Sequence, residues 1–564
     1  MTELGKPLGL RQSMSWLHTW SGLLVCWVLF LVYCCGTAAY FKEEITVWMR
    51  PDWHAKLSAP VSAEQATENA VAYLKKNAPD AERWFIQLPT DRRPILSMFW
   101  TRKPKEGEKA TPARDRLERR NLDPATGEPL AGARETRGGE FLYRLHFDLH
   151  YMPVQWARWI VGVCTMFMLV AIISGIITHR RIFADFFTFR ARKGQRSWLD
   201  GHNVAAVLAL PFHLMITYTG IVTLLFMYMP FGIQAAYKDN DKAFFTDLGF
   251  RDRQVKASGI EAPMAPIGPM VKQAIAHWDG TQPARISIER PNDASAKVAV
   301  LRDSGRSMNS QAPTVVFDGV TGRQVGVLNE DPKAANQTRG VMVGLHIANF
   351  APYAMRWLFF VSGLAGCLMV ATGALLWAVK TRQHHAKRIA QAGRTPFGLR
   401  LVEALNIGAI AGVPLAMATY FWANRLLPAD MAQRADMEAR AFFIAWAVVA
   451  IVGQVRPTRG TWRVLLWAAA AMFAALPVLD MLTTPASLGQ LPLPVYAFDG
   501  VVCLLGAGFA LAAWLVGRKK AAGKQGAKQA AAPASAATTH AARASGELRA
   551  GELRAGELRA GELR

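Results

Sequence analysis

The chain has 564 residues, of which 51% are hydrophobic and 19% charged, and its formal net charge is +23. That length could fill several water-soluble domains. The apolar residues instead gather in runs of about twenty, enough to cross roughly 30 Å of hydrocarbon at about 1.5 Å per residue. A soluble class is thereby excluded, and a nucleic-acid partner is argued against, because the basic residues crowd into short loops between apolar runs, where they set membrane orientation.

Eight runs are predicted to span: near Trp16–Tyr40, Val154–Thr178, His202–Pro230, Trp357–Lys380, Leu401–Asn424, Ala441–Val455, Trp462–Leu482 and Val495–Val516. The first follows a short leader and has no small-residue cleavage site, so it reads as a retained anchor. Lys6 and Arg11 predict an inside N-terminus, and an even number of spans then puts the basic segments 179–196, 380–388, 456–463 and 517–520 on the same side. All six cysteines fall in predicted spans and read as packing residues, so no disulfide framework is expected in the outside loops.

In chain order the expected organisation is N-terminus and first span (1–41), an outside domain (42–150), two spans with a basic loop (151–230), a second outside domain (231–345), a fourth span and loop (346–395), four further spans (396–517) and a low-complexity tail (518–564) ending in GELRA repeats. Both outside segments carry a helical pattern (62–79; 265–278), then strand-like runs, then a turn of the form Asp-x-x-Thr-Gly: LDPATGEPL and FDGVTGRQVG. The flanking spans repeat too, RLHFDLHY…ARWIVG answering GLHIANF…MRWLFF. The fold class is therefore mainly α and polytopic, with two small α+β domains inserted in a repeated four-span unit, whose interface is a natural place for a site.

Histidine is distributed unevenly. His146, His150 and His346 stand at the outer ends of the first four spans, and His18, His179 and His202 at the inner ends; the last four spans have none. His213 follows His202 by eleven residues, close to three helical turns, about 16 Å deeper on nearly the same face. Ionisable groups in a bilayer usually face the bundle interior and have a partner. Imidazoles facing one another from separate helices suit a six-coordinate haem, and the small residues of SGIIT, TYTGIVT, VSGLAG and ATGA would let helices close around it. Set against this, His179, His384 and His385 fit ordinary basic loops, and His54, His277 and His540 read as solvated. His146 and His150, four apart, could bind a bare metal but lack a zincin-type Glu between them.

Several motifs resemble the PepSY-associated transmembrane family of bacterial inner-membrane proteins: WLHTWSGL (16–23), RLHFDLHYMP with SGIITHRRIFADFFTFR, QRSWLDGHNVAAVLALPFHLMITYTGIVTL and GLHIANFAPYAMRWLFFVSGLAGCLMVATGALLW, together with the two Thr-Gly turns. The likeness covers roughly residues 10–395. It implies a bacterial inner-membrane protein with both termini cytoplasmic and the two PepSY-like domains periplasmic. It also implies two b-type haems and reduction of a ferric siderophore or other Fe(III) chelate. On that basis the outer haem is expected between His150 and His346, with His146 as the alternative, and the inner one between His18 and His202, with His213 and His179 as alternatives. Arg158, Arg356 and Trp156 are expected near propionates or the chelate, although interfacial anchoring explains them equally well.

No dinucleotide fingerprint follows a strand, GAGFAL lying inside an apolar span. Electrons must come from a quinol, a reduced flavin or another protein. Two competing readings are a haem-free transporter of iron or siderophore, using Asn406, Asp480 and Asp499, and a binding or regulatory protein acting through its outside modules.

Overall fold

The computed structural model describes residues 9–53, 61–102, 116–130, 134–179, 195–238, 240–248, 255–305, 307–484 and 491–518. His54, the basic stretch 180–194, and the tail beyond 518 with His540 lie outside them.

Seven helices among the described residues are long and apolar enough to cross a membrane: α1 (Leu10–Ala39), α5 (Val154–Thr178), α10 (Tyr353–His384), α11 (Phe397–Leu426), α12 (Arg434–Val455), α13 (Arg459–Thr483) and α14 (Leu493–Gly517). The expected third span is instead a broken pair, α6 (Gln195–Leu208) and α7 (Leu210–Thr223), bent by 69°. Pro211 in the first turn of α7 explains the break: it has no N–H to give the Val207 carbonyl, and its ring crowds that group. The continuous helix expected from His202 to His213 is therefore corrected.

The remaining helices are shorter. α2 (Lys42–Trp48) and α3 (Ala63–Asn77) follow α1, α4 (Gly138–Asp148) precedes α5, and α8 (Ile267–His277) and α9 (Ala334–Ile347) precede α10. The strands are β1 (Arg83–Gln87), β2 (Leu96–Thr101), β3 (Leu117–Leu122), β4 (Pro283–Glu289), β5 (Lys297–Arg302), β6 (Thr314–Asp318) and β7 (Gln324–Leu328).

The two inserted segments do not form two separate sheets. All seven strands make one antiparallel sheet in the order β3-β2-β1-β4-β5-β6-β7. The equivalent first strands of the repeats, β1 and β4, pair at its centre with Trp84 opposite Ile288 and Ile86 opposite Ile286. Alternation along the strands turns Trp84, Ile86, Ile286, Ile288, Val298 and Val300 to one buried face. There they pack with Ala70 and Leu74 of α3 and Val271 and Ala274 of α8. A strand edge left open in each half is closed by the other. Arg92 joins this domain to the bundle through two 2.7 Å bonds to Glu44 of α2.

Residues 1–513 form one compact unit. In the second, 514–564, the described residues finish α14, and the Arg518 guanidinium lies 4.2 Å over the Trp514 ring.

Candidate cofactor site

Four histidines of the repeated spans fall into two pairs, one at each end of the bundle. At the end away from the sheet, His18 of α1 and His202 of α6 face each other with ring centres 6.1 Å apart and planes at 62°. Their settings match. His18 Nδ1–H donates to the Ala171 carbonyl at 2.7 Å, and His202 Nδ1–H donates to the Met369 carbonyl at 2.8 Å. A carbonyl only accepts, so these bonds fix the neutral tautomer and leave Nε2 as the free lone pair. One turn beyond each acceptor stands a glycine. A Cβ on Gly175 would lie 3.1 Å from His18 Cε1, and one on Gly373 3.1 Å from His202 Cε1. Each imidazole thus sits against a glycine whose side a Cβ would crowd.

The same device recurs at the sheet end. A Cβ on Gly220 would lie 3.1 Å from His346 Cε1. Thr219 Oγ1 gives its hydrogen to the Met215 carbonyl at 2.7 Å and so accepts from His346 Nδ1–H at 3.1 Å, again freeing Nε2. His146 lies over Gly36, but at 3.9 Å from an added Cβ the contact is an ordinary one. Burial pushes His146 down to about 4. Burial, aided by the nearby His146, pushes His346 down to about 3. Both are therefore neutral donors at ordinary pH. Eighteen residues separate His18 from Gly36, and eighteen separate His202 from Gly220. The glycines beside His146 and His346 therefore stand at the same offset in the two repeats.

The expected pairing of His150 with His346 is corrected. α4 ends at Asp148, and Leu149 and His150 take positive φ values of 49° and 63°. That turn swings the His150 ring onto Phe443 of α12, stacked at 5.4 Å and 12°. His146 takes the place beside His346, close enough to act on its charge; the Leu-His dipeptide of 345–346 recurs at both 145–146 and 149–150, so the sequence did not decide between them. His213 joins neither pair. It is fully buried, its Nε2–H reaches back across the helix break to the Ala205 carbonyl at 3.3 Å, and its ring stands 6.1 Å from that of Tyr33. His179 is the half-buried cap of α5.

The three residues expected near propionates or the chelate have these settings. Arg158 bonds Asp148 at 2.8 Å, and Arg356, itself buried, donates to the Asn349 carbonyl at 2.8 Å. Trp156 is 68% exposed on the outside of its helix, as an interfacial anchor would be. The polar groups a transporter reading would use are engaged as well: Asn406 with Trp27 at 2.9 Å, Asp480 with Arg425 at 2.5 Å, and Asp499 with Trp48 at 3.0 Å.

Among the described residues there is no cluster of three or more His, Cys, Asp or Glu side chains fit for a bare metal ion. What the bundle offers is two imidazoles at each of two levels.

Residues 15–380 match the family described as the PepSY-associated TM region. An uncharacterized protein of Pseudomonas aeruginosa is 25% identical over 332 residues, an alignment covering 54% of this chain and 77% of the relative.

Proposed function

From the premise that this chain belongs to the PepSY-associated TM family, we propose that it is a di-haem b oxidoreductase of the bacterial inner membrane that carries electrons to the periplasm and reduces the iron of a ferric siderophore or similar chelate. The observation carrying this reading is the His18–His202 pair: two rings 6.1 Å apart, each with Nδ1 closed by a carbonyl. Two imidazoles bonded to one metal ion at about 2 Å each, with the distance from each nitrogen to its ring centre added, would stand about this far apart. His18 and His202 would hold a haem iron between α1 and α6, and His146 and His346 a second one. The carbonyl bonds orient the rings and raise ligand basicity, as outer partners of metal-bound histidine do.

Haem bound at these levels supplies one-electron chemistry. The chain's own part is to hold His18, His202 and His346 in one tautomer through their Nδ1 bonds, with a glycine close beside each ring. Between the levels, eighteen residues of α1 rise about 27 Å, so the two sites serve opposite sides of the bilayer. In this reading the sheet is periplasmic, both termini are cytoplasmic, and the Fe(III) chelate meets the sheet-side level. Siderophore oxygens are hard ligands that suit Fe(III) and hold Fe(II) weakly, so reduction releases the metal. The donor is a quinol, a reduced flavin or a protein.

The test is a dithionite-reduced minus oxidised spectrum of the purified protein, with haem quantified per chain. Two b-type haems are expected, His202→Ala removing one component and His346→Ala the other. A protein without haem bands after expression with ample haem supply would end the proposal.

A further inference from the structure

The helix that carries His146 is held from outside the family region. α4 begins at Gly138, and the segment leading into it is gripped by α11, α12 and the turn between them. Tyr420 Oη donates to the Gly138 carbonyl at 2.9 Å, and Arg434 donates to the Glu135 carbonyl at 3.0 Å. Thr136 Oγ1 donates to Glu438, and Arg137 pairs with Asp436 at 2.6 Å. Glu438 and Arg434 are themselves fully buried and paired, and Asn424 donates to Glu438 at 2.8 Å. Along α4, Phe141 packs on Tyr420 at 4.7 Å and on Phe442 at 5.5 Å, and just past its end His150 stacks on Phe443. The equivalent helix of the second repeat is seated differently. α9 rests on α7 through His346 and Thr219, and on the loop before β6 through the Gly340 carbonyl, which accepts from Ser310 N–H at 3.0 Å.

The two repeats therefore differ at one point. His346 is placed by its own four-span unit, whereas α4, which carries His146, is held both by its own unit, where Gly139 N–H donates to Thr46 Oγ1 at 2.9 Å and Lys42 pairs with Glu140 at 2.9 Å, and by α11 and α12. We propose that α11 and α12 are a positioning clamp for His146, so that the second half of the chain sets the axial geometry, and with it the redox poise, of the sheet-side site. Tyr420, Thr136 and Glu438 are positioning residues: each acts on the ring through α4. The proposal rests on the haem reading above and gives the last four spans a role in it.

The experiment is an optical redox titration of the full-length, haem-loaded protein, the two components being assigned by which one survives His202→Ala. Tyr420→Phe and Thr136→Val each remove a single hydroxyl and keep the packing. Each is expected to change the relative hold on ferric and ferrous iron at the sheet-side component threefold or more, about 28 mV for one electron, and to leave the other component in place. Asn406→Leu, which loosens the second half from α1 at a site remote from α4 in contacts, is the control and is expected to move neither. Unchanged components in both hydroxyl variants would overturn the clamp, as would an equal shift from Asn406→Leu. Loss of both haems from the unsubstituted protein would instead remove the haem reading, and the two failures are told apart by the parent spectrum.

Discussion

In the first four spans the half-buried histidines at the bundle ends keep one nitrogen open, whereas in the last four the buried ions Arg425, Asp480, Arg434 and Glu438 are closed upon one another. His18, His202 and His346 each use Nδ1 on a carbonyl or hydroxyl and keep Nε2 free. Arg425 and Asp480 are 1% and 2% exposed and bonded at 2.5 Å, with Arg425 also donating to the Trp48 carbonyl at 2.6 Å. Unfilled coordination in an apolar setting is a cost that only a ligand offsets. A closed ion pair needs nothing further and serves to fix one packing arrangement. The first half leaves donor nitrogens unused, and the second leaves its buried charges paired.

The largest effect should come from opening a closed pair. Arg425→Met leaves Asp480 as an unpaired buried charge and is expected to cost about 3–5 kcal/mol, read as a fall in folded yield and in the thermal midpoint in detergent. Arg425→Met with Asp480→Leu should recover most of that loss, because both charges are then gone. A single variant as stable as its parent would mean that Asp480 reaches water, and the contrast between the halves would fail.

Next comes a crowded glycine. At Gly373 even a methyl group would meet His202 at 3.1 Å, and Gly373→Leu should force the ring out at a cost of about 1–3 kcal/mol. The distal haem component should go with it. Gly408, in the second half, has only ordinary contacts at 3.4 Å and beyond, so Gly408→Ala should be tolerated. Equal tolerance at both positions would show that glycine at 373 serves close helix packing alone.

These glycine contacts explain what was legible in the chain and what was not. The spans, the repeat and the set of histidines follow from apolar length and from the cost of placing imidazole in a bilayer, both local properties. The small-residue motifs were visible as well, and Gly175, Gly220 and Gly373 all lie in them. That each receives one particular ring depends on helix rotation, which spacing alone does not reveal. His150 was misplaced because the choice turns on two consecutive left-handed residues, Leu149 and His150, and nothing in the run Asp-Leu-His-Tyr announces them. The kink at Pro211 was readable in principle, but an apolar run through a proline still passes as a span. The single sheet was hidden because pairing β1 with β4 joins segments two hundred residues apart.

The sheet-side pair gives the third test, through pH. His146 and His346 have folded values near 4 and near 3, below the unfolded value of about 6.5. A lowered value means that the unfolded chain binds more protons, so their contribution to stability is complete above about 6.5 and is lost as pH falls toward the folded values. The slope should reach at most about 1.4 kcal/mol per pH unit for each histidine, measured as thermal midpoints of haem-depleted protein between pH 7 and pH 5. The variant with both residues changed to Phe should have a shallower slope than its parent, other half-buried imidazoles such as His150, which burial also pushes down, supplying the rest. A slope unchanged in the double variant would place the titrating groups elsewhere.

The smallest effect belongs to the same ion chemistry met in water. Asp318 closes the Thr-Gly turn after β6, accepting from Thr321 N–H at 3.0 Å and from Lys297 Nζ at 2.8 Å. Lys297 first, and the turn amide with it, hold its carboxyl well below the usual carboxylate range. A depressed value contributes stability that is present above about 4 and lost as pH falls through the folded value. Because the pair is partly exposed, at 36% for Lys297 and 22% for Asp318, solvent screening should hold Asp318→Asn to under about 1 kcal/mol. This is several-fold less than the expected cost at Arg425, although both sites join an aspartate to a basic side chain at hydrogen-bond distance. Thermal midpoints of Asp318→Asn and Arg425→Met measured side by side therefore isolate burial as the variable, and near-equal losses would contradict the view that the second half's ions matter because they are shut away from solvent.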